Sequence, residues 1–312
     1  DGEIHGISGI LPIVLCARSL GSRFCVVPYE NLKEGRLIRD VPVAGVKNLR
    51  ELVECLKNPE PYLKREIQEE IPSIINTDMG MDFSDIEGQE GAKRAAEIAV
   101  SGFHNLLLIG PPGTGKTMLA RRLPTIMPGL GFEEKLELTR IYSIAGLLSR
   151  EHPLIDERPF RSPHHTSTPQ AIAGGGRNPR PGEITLAHKG VLFLDEMPEF
   201  SRASLELLRQ PMEDKVIQIA RASGTYNFPA DFMLCAAMNP CPCGYYPDLN
   251  RCTCTAGEIT HYMGKISRPL LDRIDISTEV PPVSFSQLHC GRKGENSAAI
   301  RKRVEKVQKI QE

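Results

Sequence analysis

The sequence predicts an α/β protein whose core is a parallel β-sheet flanked by helices. Three apolar runs support this prediction, at residues 105–110, 190–197 and 232–239. Strands that are buried on both faces of a parallel sheet read as continuous apolar runs, and each of these runs is bounded by glycine or polar residues. Because open α/β sheets bind their ligands at the carboxyl ends of the strands, we expect the functional site at that edge.

Composition limits the classes to which this chain can belong. With 312 residues and 40% hydrophobic content, it can bury a large core, in two domains or in one with an appendage. A net charge of -1 gives no general attraction to nucleic acid, so such a partner needs a local basic surface. The sequence has no apolar run of about 18 residues, so we expect no membrane span. It opens without an initiator methionine or a signal peptide, and we expect it to begin inside a domain.

Two regions precede the predicted core. Residues 1–58 alternate strand-like patterns, the first at 2–8, with helical ones, which predicts a small α/β unit. Residues 59–82 mix charge, proline and glycine without a sustained apolar period, and we predict a linker there. From Phe83 onward, an amphipathic helical pattern leads into the first apolar run, so the core domain is predicted at 83–290.

The most specific motif directly follows the first apolar run. "GPPGTGKT" fits G-x-x-x-x-G-K-[ST] and precedes a helical pattern, which is the context that a phosphate-binding loop requires. Its glycines let backbone N–H groups converge on phosphate oxygens, Lys116 suits the β and γ oxygens of a nucleotide, and Thr117 suits Mg²⁺. The predicted nucleotide-binding residues here are Gly110, Pro111, Pro112, Gly113, Thr114, Gly115, Lys116, Thr117 and Met118.

The second apolar run ends in two carboxylates, Asp195 and Glu196. By itself, a strand that ends in two acids is most often only a solvated strand end. With a phosphate-binding loop earlier in the chain, we expect Asp195 to hold Mg²⁺ and Glu196 to orient or activate an attacking water.

The third apolar run ends at Asn239, which precedes Pro240. An asparagine there can donate and accept hydrogen bonds beside the γ-phosphate and so position water. The alternative is that Asn239 only begins the turn, a common role for this residue type.

These segments together resemble the AAA+ ATPases, and more specifically the magnesium-chelatase-like ComM family. The segments that carry the closer resemblance are "RSPHHTSTPQAIAGGG", "AAMNPCPCGYY" and "ISRPLLDRIDI". The resemblance covers residues 83–312, while residues 1–58 resemble the tail of the Lon-protease-like domain that precedes the core in this family. It implies a P-loop AAA+ core, with residues 291–312 as the start of a lid. The basic stretch "IRKRVEKVQKIQE" itself predicts an exposed or frayed helix.

The resemblance also implies roles for individual residues. Asn239 matches the sensor-1 position, and Ile86, Gly88 and Gln89 match the segment that covers the adenine. Arg273 resembles the arginine finger that reaches the nucleotide of a neighbouring subunit, where its guanidinium would neutralise charge on the γ-phosphoryl oxygens.

A finger that acts on a neighbour implies a ring, and the rings of this family are usually hexamers. For Arg273, the alternative is a surface ion pair with Asp272 or Asp275. The chain ends before a complete lid or a sensor-2 arginine, so we expect weak nucleotide binding and slow or absent turnover from this chain by itself.

The Lon-like segment raises the possibility of a peptidase. Lon proteases use a Ser-Lys dyad whose lysine lies near the position of "GILPIV", and residues 9–14 contain no lysine. The segment that would carry the serine is also absent from the sequence, so we expect a structural role.

Two regions are candidates for contact with a macromolecule. Residues 161–190 carry four basic side chains against one acid, Glu183; the basic residues are Arg161, Arg177, Arg180 and Lys189. Such side chains on an irregular loop suit phosphate contacts, and residues 216–232 resemble the β-hairpin before sensor 1 that faces the pore of related rings. The alternative is a solvated basic loop that shapes the subunit interface. Adjacent His164 and His165 point apart on an extended chain, so we expect a structural or interface role rather than metal ligation.

The resemblance implies an ATP-driven ring motor that acts on single-stranded or branched DNA, as a branch-migration helicase in natural transformation. The runner-up is a protein-remodelling ATPase subunit of the magnesium-chelatase type, and a nucleotide-gated scaffold is a third possibility. The implied cofactors are ATP and Mg²⁺, and we expect a cytoplasmic protein.

Four of the nine cysteines are concentrated in "CPCGYYPDLNRCTC". Thiols stay reduced in the cytoplasm, which argues against disulfides there. Four soft ligands favour structural zinc, although C-x-C is tighter than the usual spacing of zinc ligands, and Asp248 or His261 could replace one thiolate. The predicted ligands are Cys241, Cys243, Cys252 and Cys254. An unliganded loop is the alternative, and a redox pair is the least favoured.

Overall fold

The computed structural model describes residues 2–65, 80–148, 153–176, 179–221, 224–283 and 294–311. The chain divides into two compact units. The first comprises Asp1–Thr77 and Leu130–Glu157, and the second comprises Asp78–Gly129 and Arg158–Glu312. Residues 130–157 thus group with the amino-terminal residues, although the sequence analysis had included them in the core at 83–290. Most of the predicted linker lies outside the described residues.

The helices are α1 (Ile10–Ser19), α2 (Leu32–Gly35), α3 (Leu49–Lys57), α4 (Glu60–Leu63), α5 (Glu90–Gly102), α6 (Lys116–Ile126), α7 (Phe132–Ala145), α8 (Pro169–Ala173), α9 (Glu183–Leu186), α10 (Arg202–Glu206), α11 (Arg209–Asp214), α12 (Ala256–Met263), α13 (Arg268–Leu271) and α14 (Ser297–Gln311). The strands are β1 (Cys25–Pro28), β2 (Val43–Val46), β3 (Leu106–Ile109), β4 (Phe160–Arg161), β5 (Gly174–Gly175), β6 (Arg180–Pro181), β7 (Val191–Leu194), β8 (Val216–Arg221), β9 (Gly224–Pro229), β10 (Met233–Met238) and β11 (Ile276–Glu279). Among the described residues, no helix is long and apolar enough to cross a membrane.

The first unit is built around the parallel pair β1 and β2. Apolar residues of α1 pack against these strands, and α7 packs beside α1. The buried carboxylate of Glu34 accepts hydrogen bonds from Leu11 N (3.2 Å) and Ser143 Oγ (2.5 Å), which joins α1, α2 and α7. The strand expected at residues 2–8 is wrong: Glu3 and Asn48 form only an isolated bridge. Ile7 instead exchanges hydrogen bonds with the side chain of Asn31, so the bridge does not extend into a ladder.

The second unit contains a five-stranded sheet in the order β11-β3-β10-β7-β4, with every pair parallel. This confirms the predicted fold class. Alternate residues of the strands face two separate cores, and both cores are closed by helices. Leu106 and Leu108 point to the face covered by α5, α6 and α14, whereas Leu107 belongs to the opposite core. Burial on both faces explains why the strands read as continuous apolar runs.

The carboxyl-terminal helix α14 corrects one expectation. We expected an exposed or frayed helix, but Ile300 and Val304 are 5% and 0% exposed and belong to the core that α5 and α6 cover. Arg303 donates to Glu97 (2.7 Å) and pairs with Glu295, so charged groups flank this buried stripe. Two apolar residues four positions apart are enough for docking, because they share one face of the helix.

Candidate nucleotide-binding site

The phosphate-binding loop connects β3 to α6 at the carboxyl edge of the sheet. Gly113 and Gly115 have φ values of 78° and 88°, a left-handed conformation that side-chain-bearing residues rarely adopt. A Cβ on Gly110 would lie 2.3 Å from the carbonyl oxygen of Val280, so no larger residue fits there. The glycine spacing therefore follows from backbone geometry, and the first turn of α6 presents free N–H groups towards the loop.

Lys116 is buried at the centre of the loop and is 9% exposed. Its Nζ donates to the carbonyl oxygens of Gly110 (2.7 Å) and Pro111 (2.8 Å), and to Asn239 Oδ1 (3.3 Å). Burial lowers the pKa of Lys116, and the nearby charges of Asp195 and Glu196 oppose that shift. A weakly solvated ammonium group in this position is suited to an anionic ligand.

Asp195 and Thr117 meet on the other side of the loop. Thr117 Oγ1 donates to Asp195 Oδ2 at 2.7 Å, and Asp195 Oδ1 accepts from the backbone N–H of Glu196 at 3.0 Å. A hydroxyl and a carboxylate are the oxygen ligands that Mg²⁺ accepts. This donor set fits the cation that accompanies a nucleotide.

Glu196 follows Asp195 with a φ of 51°, so the backbone turns sharply directly after β7. Its side chain is 59% exposed, and its Oε2 lies 3.7 Å from Nδ1 of His165. Because of this turn the two carboxylates point in different directions. That of Asp195 contacts Thr117, and that of Glu196 lies beside His165.

Asn239 directly follows β10 and lies beside Lys116, at the same edge of the sheet. Tyr262, a residue that sequence reasoning missed, packs behind it from α12 and is 6% exposed. Burial raises the pKa of the Tyr262 hydroxyl to about 12, against a hydrogen bond with the Asn239 backbone that lowers it. A single tyrosine in an amphipathic helix gave no sequence signal for this contact.

A cavity of about 400 Å³ adjoins the loop. Ile86 and Gln89 of the predicted adenine segment line it with Met118 of the predicted loop, and so do Val280 and Val283, which sequence reasoning missed. Gln89 Nε2 donates to the carbonyl oxygens of Thr114 (3.3 Å) and Pro281 (2.5 Å). Gly88 is not among the lining residues; its φ of 64° allows the turn before α5. The apolar walls and the size suit a flat aromatic ring system.

Arg273 lies at the opposite edge of the sheet. It precedes β11, and its carbonyl oxygen accepts from Asn105 Nδ2 (2.8 Å), which precedes β3. Its guanidinium pairs with Glu213 and donates to the carbonyl oxygen of Pro269. The alternative pairing with Asp272 or Asp275 is therefore wrong. Asp275 instead accepts from the backbone N–H of Asn105 (2.8 Å).

The four cysteines of the predicted zinc site are brought together. All four sulfur atoms lie within 4.8 Å of one another, and this is the cluster of candidate metal ligands found among the described residues. Three of the distances are 3.4 Å (Cys241–Cys243), 3.8 Å (Cys241–Cys252) and 3.6 Å (Cys243–Cys252). Neither Asp248 nor His261 belongs to the cluster. We call residues 241–254 the cysteine knuckle.

The knuckle contacts the phosphate-binding loop. A Cβ on Gly244 (φ 87°) would lie 2.6 Å from Cδ of Pro112. Hydrogen bonds, above all with the Tyr245 backbone, lower the pKa of Cys243 to about 6. For Cys254, a backbone hydrogen bond lowers the pKa, but burial and the neighbouring thiols outweigh it and raise the pKa to about 12. The thiols of Cys243 and Cys254 thus differ strongly in pKa.

The basic segment at 161–190 is partly neutralised. Arg161 makes a bidentate pair with Glu183, with two N···O distances of 2.7 Å, and Lys189 pairs with Asp231 at 2.8 Å. Arg180 is exposed on β6, and Arg177 lies outside the described residues. Downstream, β8 and β9 form the antiparallel hairpin that the resemblance implied.

Comparisons with known proteins agree with this geometry. A model of the family described as magnesium chelatase, subunit ChlI, matches residues 82–288. The chain is 42% identical over 306 residues to an uncharacterized protein of Mycobacterium tuberculosis, Rv2897c, covering 97% of this chain and 59% of that protein. It is 42% identical over 312 residues to competence protein ComM of Haemophilus influenzae, covering 99% of this chain and 61% of that protein.

A more distant match is Lon protease 2 of Bacillus subtilis, which is 28% identical over 145 residues, with 43% of this chain and 26% of that protein covered. The chain spans only about three fifths of the more similar relatives, 59% and 61% of their lengths. Because the family model covers most of the second unit, the chain belongs to the magnesium chelatase ChlI family, as a magnesium-chelatase-like member of the ComM group with an AAA+ ATPase core.

Proposed function

We propose that this chain hydrolyses ATP at the carboxyl edge of the five-stranded sheet. The observation that carries the proposal is the convergence of Lys116, Thr117, Asp195 and Asn239 on one loop, at hydrogen-bond distances of 2.7 to 3.3 Å. Lys116 binds the β and γ oxygens, and the backbone N–H groups of the loop hold the α and β oxygens. The adjoining cavity receives the adenine, with Gln89 fixed at its wall.

The side chains of the site divide the chemistry among them. Bound Mg²⁺ supplies charge neutralisation on the phosphate oxygens, and Thr117 and Asp195 would hold it. Glu196, exposed and directed away from Asp195, orients the attacking water and accepts its proton. Asn239 donates its amide N–H groups to the γ-phosphate while its Oδ1 accepts from Lys116.

The position of Arg273 supports action on a second subunit. β11 pairs in parallel with β3, so a residue that precedes β11 lies at the amino edge of the sheet. The four residues of β3 span about 13 Å at a rise of about 3.3 Å per residue. The Arg273 side chain, which pairs with Glu213, is therefore far from the nucleotide site of its own copy, and we propose that it serves the nucleotide of another copy. We infer a ring, and a hexamer as the family's usual size.

We propose DNA as the macromolecule that this motor moves, in single-stranded or branched form, as a helicase of natural transformation. The printed name of the Haemophilus influenzae relative, a competence protein, supports this proposal. The exposed strand β9 and exposed Arg180 offer groups for phosphate contact, whereas paired Arg161 and Lys189 weaken the basic surface. The second candidate, a protein-remodelling ATPase of the chelatase type, rests on the family match.

We propose that the cysteine knuckle holds structural Zn²⁺ in a cytoplasmic protein. Four thiolates at about 2.3 Å from a tetrahedral zinc ion lie about 3.8 Å from one another. The sulfur distances of 3.4 to 3.8 Å are already close to that arrangement. A bound zinc ion would cross-link the two C-x-C segments, and Pro112 would then rest against a rigid support.

The experiment that tests the proposed function is an ATPase assay of the full-length protein with and without four-way or forked DNA. We expect Mg²⁺-dependent hydrolysis that such DNA stimulates, together with strand displacement. Glu196→Gln should bind ATP without hydrolysing it. Hydrolysis that no DNA stimulates would contradict the DNA motor and favour the protein-remodelling alternative, and wild-type turnover by Glu196→Gln would contradict the assigned chemistry.

A further inference from the structure

The carboxylate of Glu196 lies beside the imidazole of His165. Among the described residues, the cationic or potentially cationic group recorded within ion-pair distance of its carboxylate is the imidazole of His165, with 3.7 Å between Nδ1 and Oε2. That distance is slightly longer than a direct hydrogen bond and lies within the range of an ion pair. An exposed glutamate side chain can adopt several rotamers, so a general base of this type needs a partner that fixes the direction of its carboxylate.

The sheet register brings these two residues together. β4 pairs in parallel with β7, with Phe160 opposite Val191 and Arg161 opposite Leu192. Continuing that register beyond the strand ends places His165 opposite Glu196. The recorded pairing ends at Arg161 and Leu192, but the side chains of His165 and Glu196 still lie 3.7 Å apart.

The imidazole is held in place from two sides. The His164 ring lies against it, with centroids 4.1 Å apart, and His164 Nδ1 is 2.8 Å from Thr166 Oγ1. Phe200, which is 5% exposed, meets it edge-on at 6.4 Å. Phe200 follows Glu196 by one short turn, so the segment that carries the carboxylate also fixes the imidazole. The side chain of His165 is accordingly only 32% exposed.

We propose that His165 is a positioning residue for ATP hydrolysis, which orients the carboxylate of Glu196 towards the attacking water. This inference rests on the proposed function, since it assigns the hydrolytic role to Glu196. His165 itself contacts neither phosphate nor metal in this assignment. Its neighbour His164 has a different task, since its ring is tied to Thr166 and only supports the His165 ring.

The distinguishing property of such a residue is its effect on turnover but not on binding. His165→Ala should lower kcat by between about tenfold and about a hundredfold, the range that a misplaced reacting group produces. Nucleotide affinity should stay unchanged, because the loop, Lys116 and the adenine cavity do not depend on His165. His165→Gln keeps an N–H donor of similar reach and should recover most of the rate.

The test is made on the full-length protein, with kcat from steady-state ATPase assays and affinity from equilibrium titration with a fluorescent ATP analogue. His104→Ala is the matched control, because its imidazole also lies 3.7 Å from a carboxylate, that of Asp275, at the amino edge of the sheet, and we expect its kcat to stay within about threefold of wild type. His165→Ala added to Glu196→Gln should cause no further loss, because the histidine acts through the glutamate.

Three outcomes would overturn the inference. The first is wild-type kcat in His165→Ala, the second is an equal loss of affinity and turnover, and the third is a failure of His165→Gln to recover more activity than the alanine variant. Each of these leaves the ATPase proposal standing if Glu196→Gln is inactive but binds ATP. If Glu196→Gln instead hydrolyses ATP at the wild-type rate, both the proposed chemistry and the role of His165 are wrong.

Discussion

The hydroxyl of Thr117 donates to the carboxylate of Asp195 at 2.7 Å, across 78 positions of sequence. Thr117 belongs to the first turn of α6 and Asp195 follows β7, so the contact joins two elements that are far apart in the sequence. Parallel pairing of β10 with both β3 and β7 produces this proximity. Two oxygen ligands of the type that Mg²⁺ selects are therefore adjacent at this edge of the sheet.

Asp195→Asn should abolish Mg²⁺-supported ATP hydrolysis. The amide keeps the shape but loses the charge that would hold the cation, and a loss of several kcal/mol of transition-state stabilisation corresponds to about 100-fold or more in kcat. Steady-state ATPase assays over a range of Mg²⁺ concentrations measure the effect. Asp214→Asn, at an exposed helix end, is the matched control and should behave as wild type. Normal turnover in Asp195→Asn would contradict the assigned metal role.

Arg273→Ala should abolish turnover while sparing nucleotide binding, since its guanidinium acts on a neighbour's γ-phosphate. An arginine finger is worth about 10³ or more in rate. Glu213→Gln, which removes only the partner carboxylate, should keep activity and cost at most about 1 kcal/mol of stability because that pair is at the surface. Mixing Arg273→Ala with Lys116→Ala subunits is the sharper measurement: restored activity in mixed assemblies indicates a shared site, and no restoration contradicts it.

Gly244→Ala should weaken nucleotide binding through the contact with Pro112. The new Cβ would lie 2.6 Å from Cδ of Pro112, and the φ of 87° disfavours any side chain. A shift of the loop that costs about 1.4 kcal/mol lowers ATP affinity about tenfold. Gly257→Ala in α12, whose Cβ would meet only Thr255 Oγ1 at 4.0 Å, is the control and should leave affinity unchanged. Equal affinities for the two variants would show that the knuckle does not support the loop.

Metal analysis tests the cysteine knuckle independently of activity. Purified protein should contain about one zinc ion per chain, the stoichiometry of a closed four-cysteine site. Cys243→Ser should lose zinc and lower the thermal unfolding midpoint, while exposed Cys16→Ser should keep both at wild-type values. A folded, metal-free sample whose four knuckle thiols all react with a thiol reagent would contradict the zinc assignment.

Asp231→Asn should destabilise the base of the hairpin in a pH-dependent way. Burial opposes ionisation of Asp231, but hydrogen bonds from Lys189 and Lys215 outweigh it and keep the pKa below its ordinary value. A depressed carboxyl pKa stabilises the fold above the unfolded-state value, about 3.9, and that stabilisation is lost as pH falls through the folded-state pKa. Chemical denaturation at pH 7 should show a loss of about 1 to 2 kcal/mol. The difference from wild type should shrink below about pH 4, and a pH-independent difference would exclude the ion pairs as its cause.

Much of the second unit could be predicted from local sequence patterns. The runs around Leu106, Leu192 and Leu234 are apolar because both faces of the sheet are covered, and the glycines of the loop are dictated by backbone angles. These constraints act within a few residues, so a single sequence reveals them.

Contacts between distant segments could not be predicted in the same way. Glu34 and Ser143 are 109 positions apart, and no periodicity reveals that residues 130–157 join the first unit. Arg273 pairs with Glu213 rather than with the adjacent acids, since chain folding and not spacing selects the partner. His165 is similar: its own segment gives no sign of the carboxylate that strand pairing brings opposite it.

The placement of Lys116 and Arg273 at opposite edges of one short sheet constrains any assembly in which both serve the same nucleotide. Each copy must then offer two different groups of residues, one that receives an arginine and one that supplies it. A two-fold dimer satisfies both contacts only where the two groups share one surface, because each Arg273 then meets the partner's nucleotide site and the reverse. Where the two groups lie on different surfaces the interface is heterologous, and repeating it gives an array that either closes on itself or grows as a helix.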